Sequence, residues 1–530
     1  MKRKPIRWLW FGVASAVFLL LASWQLGLPG PHYDEAVEVV PAVQLLRGMA
    51  VTAHRGAGIH IAGRLFPIMV VDYIGALNTY FVMPFFLLGG IGVPSMRAMP
   101  IAGGLVALYF TFRLAEEWAG ERAAVLAAFF LAVQPSFVFW TRQGIFVTSI
   151  TTPILMAFLW FVWLWWRDGK LGHLIAFCFL AGLGIYAKFL FVWPIGALLL
   201  VMAVAWKWNR PKRMPAAKEA FLGAVAFLAG IWPLILFNVQ TGGTFEHFTE
   251  HLVNSYYGVH NAAYFHNLLI RLDDFRSVVE GDHFWYLGGV HRDVWALAAF
   301  LVFPLISLAG DRSAKSVARI LVPVAFIGVV ILESPITPSS LWVTHFAIIT
   351  PLVAFSLAVS ADGVLRLVGG RRLLLLSLLV SALLVREMIT DVQYHRSLAK
   401  SGGLGDHSDA IYHLAYWLRT HGKDSPPALD WGISAPVFLL TGGEVSPQDV
   451  FGYDNLQKPD EGFRKRILLF LRDRQQVYLL HSPDATVFKG REKAFEEEAS
   501  RLGLKPKTVA VFAERSGRPL FEVMSVEPGR

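Results

Sequence analysis

The chain has 530 residues, 55% hydrophobic and 16% charged, with a formal net charge of +9. Soluble domains carry about 25% charged residues, so this composition excludes an assembly of soluble globular domains. A single cysteine, Cys178, excludes a disulfide framework and a cysteine-rich zinc site. On so apolar a chain, the positive charge reads as basic loops beside anionic lipid and not as a nucleic-acid footprint.

In chain order, the first apolar segment is Trp8–Leu28, behind the basic start "MKRKPIR". A run of about 20 residues is span-length and longer than an ordinary signal-peptide core. The following "GLPGPHYDE" is not a small-x-small cleavage site, so an uncleaved first span is expected. Further spans are expected near 98–114, 122–140, 145–166, 171–187, 189–206, 219–237, 294–310, 317–332, 341–360 and 371–388. Segment 71–90 is apolar enough to cross, but it holds Asp72, Asn78 and Pro84 and ends in Gly-Gly.

Charge arbitrates, because basic loops stay on the cytoplasmic side. With 71–90 lying along the interface, the N-terminus, Arg167/Lys170, "KWNRPKRMPAAK" at 207–218, "DRSAKSVAR" at 311–319 and Arg366/Arg371/Arg372 all share that side. If 71–90 crosses, the 207–218 cluster falls outside. The expected architecture is therefore a polytopic α-helical membrane protein of about 11 transmembrane helices, N-terminus in and C-terminus out. The membrane domain is assigned to 1–390, with outer loops 29–97 and 238–293 carrying interfacial helices, and a linker to 391–405. The tail, 406–530, is expected as an extracytoplasmic α/β domain. "DHSDAIYHLAYWLRTH" has helical spacing behind cap residues, and "PALDWGI", "QQVYLLHS", "KTVAVFAER" and "PLFEVMSV" are strand-like.

The candidate chemistry begins at "HYDEA", with Asp34 and Glu35 side by side behind a Pro-Gly-Pro breaker. Acids at a helix start stabilise its N-terminus, and a carboxylate held beside a membrane surface accepts a proton from a hydroxyl nucleophile. Both readings are open on the dipeptide alone, and Glu38 reads as the ordinary face of the following helix. The loop 238–293 holds His247, His251, His260, His266, His283 and His291. It carries no HExxH motif and no second ligand cluster, so interfacial histidines are expected there and no metal.

The succession of features around "HYDEA" resembles the polytopic glycosyltransferases of the GT-C fold, chiefly the protein O-mannosyltransferases and the aminoarabinose transferases of lipid A. The Asp-Glu pair of the first outer loop is matched by "HYDEA". The amphipathic segment ending in an arginine is matched by "YIGALNTYFVMPFFLLGGIGVPSMR", and the following segment by "GERAAVLAAFFLAVQPSFVFWTRQG". There are departures. The first loop has only "RLFP", with Arg64, where such proteins often place a basic residue or His before Pro-Pro. No acid follows "TRQG", and "THFAIITP" puts His345 where an Arg-Tyr is often found.

The resemblance implies a membrane glycosyltransferase of mannosyltransferase-like type. It would move a hexosyl or pentosyl group from a polyprenyl-phosphate donor to a hydroxyl of a protein, lipid or cell-envelope glycan, with inversion. Asp34 would be the general base and Glu35 its supporting neighbour. Arg142 is the first choice for the donor phosphate, against the plain reading of a snorkelling interfacial Arg. Arg64 is a further phosphate partner, and Lys188 is either another or the charged hinge of a turn. His54, His60, His283, Trp285 and His345 are candidate substrate contacts. No cofactor is implied, and the partners are donor, acceptor and membrane lipid, without nucleic acid. The expected location is a bacterial-type inner (plasma) membrane, with active site and tail extracytoplasmic. The competing reading is a transporter or flippase of lipid-linked substrates. Transporters place ionisable residues in mid-span, whereas acids here gather in outer loops.

Overall fold

The structure, a computed structural model, describes residues 6–206, 210–453 and 455–529. The basic start at 1–5 and the first three residues of the 207–218 cluster lie outside the described residues.

The membrane part opens with α1 (Arg7–Ser23) and two short helices, α2 (Tyr33–Val37) and α3 (Val40–Arg47). A hairpin of β1 (Gly58–Ile61) and β2 (Arg64–Pro67) follows, then the short pair β3 (Met69–Val71) and β4 (Ile74–Gly75). Next come α4 (Leu77–Gly89), α5 (Val93–Ala119), α6 (Glu121–Val133), α7 (Pro135–Arg142), α8 (Gly144–Val147) and α9 (Thr151–Asp168). They are followed by α10 (Leu171–Ala187), α11 (Val192–Ala205), α12 (Ala217–Thr241), α13 (Gly243–Glu250) and α14 (Tyr264–Glu280). The part closes with α15 (Val294–Gly310), α16 (Ala314–Glu333), α17 (Thr350–Arg366) and α18 (Gly370–Ser401).

Five of these runs are long and apolar enough to cross a membrane: α5, α12, α16, α18, and the continuous stretch Val343–Arg366 that ends in α17. The bent pair α6–α7 makes a sixth if counted as one, and α1, α10, α11 and α15 are shorter apolar helices. The chain is an integral membrane protein. The 13-residue α4 spans about 20 Å at 1.5 Å per residue, short of the ~30 Å hydrocarbon core, so it does not cross alone.

The apolar runs of the sequence break where local chemistry breaks them. The stretch expected as one span at 122–140 turns by 59° between α6 and α7. Pro135 removes an amide and collides with the preceding turn. All eight residues of α7 are buried as a result. The run at 145–166 opens with α8, stops at Thr148 in a left-handed conformation (φ 54°), and restarts as α9. Helix α18 runs to Ser401, so most of the segment expected as a linker is helix and only the turn Gly402–Gly405 joins it to the tail.

The tail contains α19 (Ala410–Thr420), β5 (Pro427–Ala428), α20 (Ser434–Leu440), β6 (Gln448–Asp449) and α21 (Phe463–Leu471). It ends with β7 (Val477–His481), α22 (Arg491–Arg501), β8 (Leu504–Ala513) and β9 (Pro519–Pro528). The strands form one mixed sheet in the order β6-β5-β7-β9-β8. Alternation along β7 builds two cores. Val477 and Leu479 pack with Leu414 and Leu418 of α19, while Tyr478 and Leu480 pack with Ile467 of α21 and Phe495 of α22. The tail docks on the membrane part through α20, whose Phe438 and Leu439 share a buried apolar cluster with Ala36, Val39 and Val43 of the first loop and Met96 of α5. That contact sets the tail directly over "HYDEA".

Candidate active site

The segment before Asp34 is clamped by two buried arginines. Arg97, in the first turns of α5, donates to the carbonyls of Leu26 (3.1 Å), Pro29 (2.9 Å) and Gly30 (3.4 Å). Arg142, at the end of α7, donates to the carbonyls of Gln25 (2.6 Å) and Leu28 (2.9 Å). Its remaining Nη1 faces His395 Nδ1 at 3.3 Å. Since Arg only donates, that nitrogen accepts, and the His395 proton sits on Nε2 and reaches the carbonyl of Leu21 at 2.9 Å. The irregular chain between α1 and α2 is thus satisfied by guanidinium forks.

Helix α2 is only five residues long, and its conformation comes from a capping box. His32 Nδ1 accepts from the Asp34 amide (3.1 Å), and the Glu35 carboxylate accepts from the His32 amide (3.1 Å). Glu35 is 1% exposed and also takes Arg97 in a two-point ion pair, at 2.5 and 3.3 Å. Both acceptor oxygens of Glu35 are committed, so it holds the loop and leaves Asp34 to face outward. The Asp34 side chain is 52% exposed.

Beneath Asp34 lies a second buried carboxylate, Glu38. It accepts from Asn78 Nδ2 (2.7 Å) and Thr148 Oγ1 (3.1 Å), and its carbonyl accepts from Thr79 (2.6 Å). The reading of Glu38 as an ordinary helix face is therefore corrected: it is 3% exposed and packed between α4 and α8. Burial pushes its carboxyl up to about 8, against the opposing pull of Asn78, the Lys188 ammonium and Thr148. Burial likewise lowers Lys188, while Glu38 and then Asp34 pull it back up. Lys188 is set by its backbone, which pairs with Ile74 across one antiparallel β-bridge, and its Nζ donates to the Val147 carbonyl at 3.3 Å. Lys188 stands within electrostatic reach of Asp34 and Glu38 on one side and His345 on the other.

His345 lies in the 3₁₀ stretch Val343–Ile349 and receives Arg271 Nη2 on its Nδ1 at 3.0 Å. By the same donor logic its proton is on Nε2, which is left to donate elsewhere. Arg271 is fully buried, donates to the carbonyls of Ser334 (3.2 Å) and Trp342 (3.0 Å), and sits over the rings of Trp193 (5.8 Å) and Phe346 (5.3 Å). One carboxylate, Asp274, is 3.3 Å away. Burial lowers the guanidinium to about 10, so it stays charged at neutral pH. Arg271 and His345 meet directly, Lys188 lies within electrostatic reach of His345, and among the described residues Asp274 is the carboxylate in an ion pair with this cationic centre, an arrangement that stabilises an anion.

Of the residues singled out in the sequence, the structure brings together Asp34, Glu35, Lys188 and His345. Arg142, expected at the donor phosphate, has its Nη atoms engaged behind the loop, on the carbonyls of Gln25 and Leu28 and on His395 Nδ1. Arg64 and His60 are exposed on the β1–β2 hairpin. His54 pairs with Asp72 (2.9 Å) in a charged patch with Arg55 and Glu246 that ties this loop to α13. His283 stacks on Trp140 (4.4 Å) and meets Ser136 Oγ at 3.0 Å; burial pushes it down to about 3, so its ring is neutral near pH 7. Trp285 is 58% exposed beside the turn at Gly405. Among the described residues no group of three or more His, Cys, Asp or Glu is placed to hold a metal ion.

Three buried charged residues of this region are not marked as candidates by the sequence: Arg97, Arg271 and Glu38. Arg97 is a charge three residues after Pro94 in an apolar helix, which is itself a signal. Arg271 shares helical spacing with the buried Phe275, Val278 and Val279, so it sits on the apolar face of α14. Glu38 carried no comparable mark, since its partners come from α4 and the residue after α8.

Residues 76–237 match the family model of dolichyl-phosphate-mannose-protein mannosyltransferases. The chain is similar in structure to ArnT from Cupriavidus metallidurans bound to undecaprenyl phosphate, with TM-score 0.62 at 13% identity, covering 98% of each chain. The apo state of that protein gives TM-score 0.62 at 12% identity, over 97% of each chain. The apo oligosaccharyltransferase of Archaeoglobus fulgidus gives TM-score 0.51 at 12% identity, covering 96% of this chain and 70% of that one. No curated protein matches in sequence. What this chain shares with these proteins is the GT-C fold.

Proposed function

We propose that this GT-C chain is a glycosyltransferase that moves a sugar from a polyprenyl phosphate to a hydroxyl acceptor with inversion. The observation that carries the reading is the pairing of one outward carboxylate, Asp34, with a buried cationic centre of Lys188, Arg271 and His345. The solved ArnT bound to undecaprenyl phosphate, on the same fold, supports a lipid-phosphate donor.

In this mechanism Asp34 takes the proton of the acceptor hydroxyl. The oxygen attacks the anomeric carbon from the face opposite the phosphate, and the new C–O bond forms as the anomeric C–O(phosphate) bond breaks. The logic is that of an inverting carboxylate pair, with the acceptor in place of water. The leaving group goes from phosphodiester to monoester and gains negative charge, which Lys188 and His345 Nε2–H would take up, with Arg271 holding the His345 ring through Nδ1 and adding its buried charge. Arg97 and Glu35 supply rigidity, and Arg142 clamps the loop from behind. The site and the tail are assigned to the extracytoplasmic side of a bacterial-type inner membrane, with about 11 spans, by the charge asymmetry of the loops.

The test is mass spectrometry of polyprenyl-linked sugars and envelope glycans in cells with and without the protein. Accumulation of one lipid-linked sugar with loss of one glycan feature is the expected result. Unchanged pools of both would overturn the reading.

A further inference from the structure

Around Asp34 the molecule exposes a group of aromatic rings drawn from four separate segments. Tyr33 comes from the first loop, Tyr257 and Trp342 from the two stretches that flank α14 to α16, and Trp431 and Tyr453 from the tail. Tyr257, Trp342 and Tyr453 are 49%, 49% and 47% exposed. They are not scattered. Tyr33 Oη and Tyr453 Oη are 2.9 Å apart, and the Tyr33 ring lies 4.8 Å from that of Trp431. Tyr257 and Trp342 pair edge to face at 5.7 Å. The neighbouring Tyr256 donates its hydroxyl to the Tyr453 carbonyl, which closes the link between the two walls.

Three of the rings stand close to the carboxylate, and Tyr33 is its chain neighbour. Asp34 raises the phenols of Tyr33, Tyr257 and Tyr453 beyond what burial does, so all three stand within its electrostatic reach. The wall is also tied to the cationic centre, since the Trp342 carbonyl accepts from Arg271 while its ring faces outward.

Half-exposed aromatic faces interleaved with phenol and carboxylate oxygens suit one ligand chemistry. A pyranose or furanose ring offers a C–H face that stacks on an aromatic plane, and a rim of hydroxyls that bonds to phenols and carboxylates. Peptides are held chiefly by backbone pairing on a strand edge or by pockets for side chains, and those that dock on aromatic grooves are proline-rich. We propose that this aromatic wall is the acceptor subsite and that the acceptor is a saccharide, whose free hydroxyl is delivered to Asp34. The proposal rests on the transferase reading and narrows it from any hydroxyl to that of a glycan.

The test uses the full-length protein in detergent on a printed array carrying oligosaccharides and Ser- or Thr-containing peptides. A separate arm measures binding of undecaprenyl phosphate. Expected is saccharide binding that drops roughly tenfold or more in Tyr257→Ala and in Trp342→Ala. It should be kept in Tyr257→Phe and Trp342→Phe, because the ring and not the polar atom carries it. Both side chains are exposed, so folding is not at stake in these variants. Binding to peptides alone, binding to neither class, or saccharide binding indifferent to the four variants would overturn the proposal. Loss of the transferase reading looks different: saccharides bind through these rings, but undecaprenyl phosphate does not bind at all.

Discussion

Arg97 grips Glu35 through two nitrogens, with neither side chain reaching water, one residue away from the half-exposed Asp34. The adjacent acids are therefore divided by environment. One is the buried counter-ion that fixes a five-residue helix, and the other is the group the helix presents.

This division predicts opposite phenotypes for neighbouring substitutions. Breaking a buried pair by removing one partner costs about 3–5 kcal/mol. Arg97→Met and Glu35→Gln should each lower the thermal midpoint in detergent markedly, because a buried charge or a donor array is left unmatched. A midpoint within a degree of the parent would remove the clamp role.

Asp34→Asn should leave that midpoint unchanged while transfer falls by about 10²–10⁴-fold, the usual contribution of a positioned general base. A rate within severalfold of the parent would take Asp34 out of the chemistry.

The long apolar helices and the core strand of the tail were legible because both are continuous apolar runs: β7 is buried on both faces, Val477 and Leu479 on one side, Tyr478 and Leu480 on the other. Asp34 and Glu35 were legible as a pair, but not their division of labour, since the residue that separates them, Arg97, is 62 positions away from Glu35. Arg142 is ambiguous in the sequence for a related reason. An Arg near a span end reads alike whether it meets phosphate or the carbonyls of Gln25 and Leu28, and only folding shows that its Nη groups are engaged.

The cationic centre predicts a donor-specific defect. Lys188→Met should weaken undecaprenyl phosphate binding by roughly 10–100-fold, the range for losing a charge-assisted hydrogen bond, and Arg271→Met should weaken it too, by releasing the His345 ring that it holds. Arg142→Met should instead lower stability, with donor affinity of the folded fraction retained. Equal loss of donor affinity in all three would place Arg142 at the phosphate site.

The contacts of His481 predict a pH dependence of the tail. His481 is buried between Asp430 (Nδ1, 3.0 Å) and Asp406 (Nε2, 3.4 Å), and Asp406 belongs to the turn next to His407, whose ring stacks on His32 at 4.5 Å. Burial alone would lower the imidazole, but the two carboxylates outweigh it and raise His481 from 6.5 to about 9. A group raised on folding stabilises the protonated protein. Its contribution is complete below about pH 6.5, declines as pH climbs, and is lost beyond about pH 9; that interval is worth ~3 kcal/mol. The thermal midpoint should therefore fall between pH 6.5 and 9.5. In His481→Gln the same window should be flatter, starting from a lower midpoint at pH 6.5. Parallel pH slopes in parent and variant would show that the charged histidine does not hold the tail to the turn beneath it.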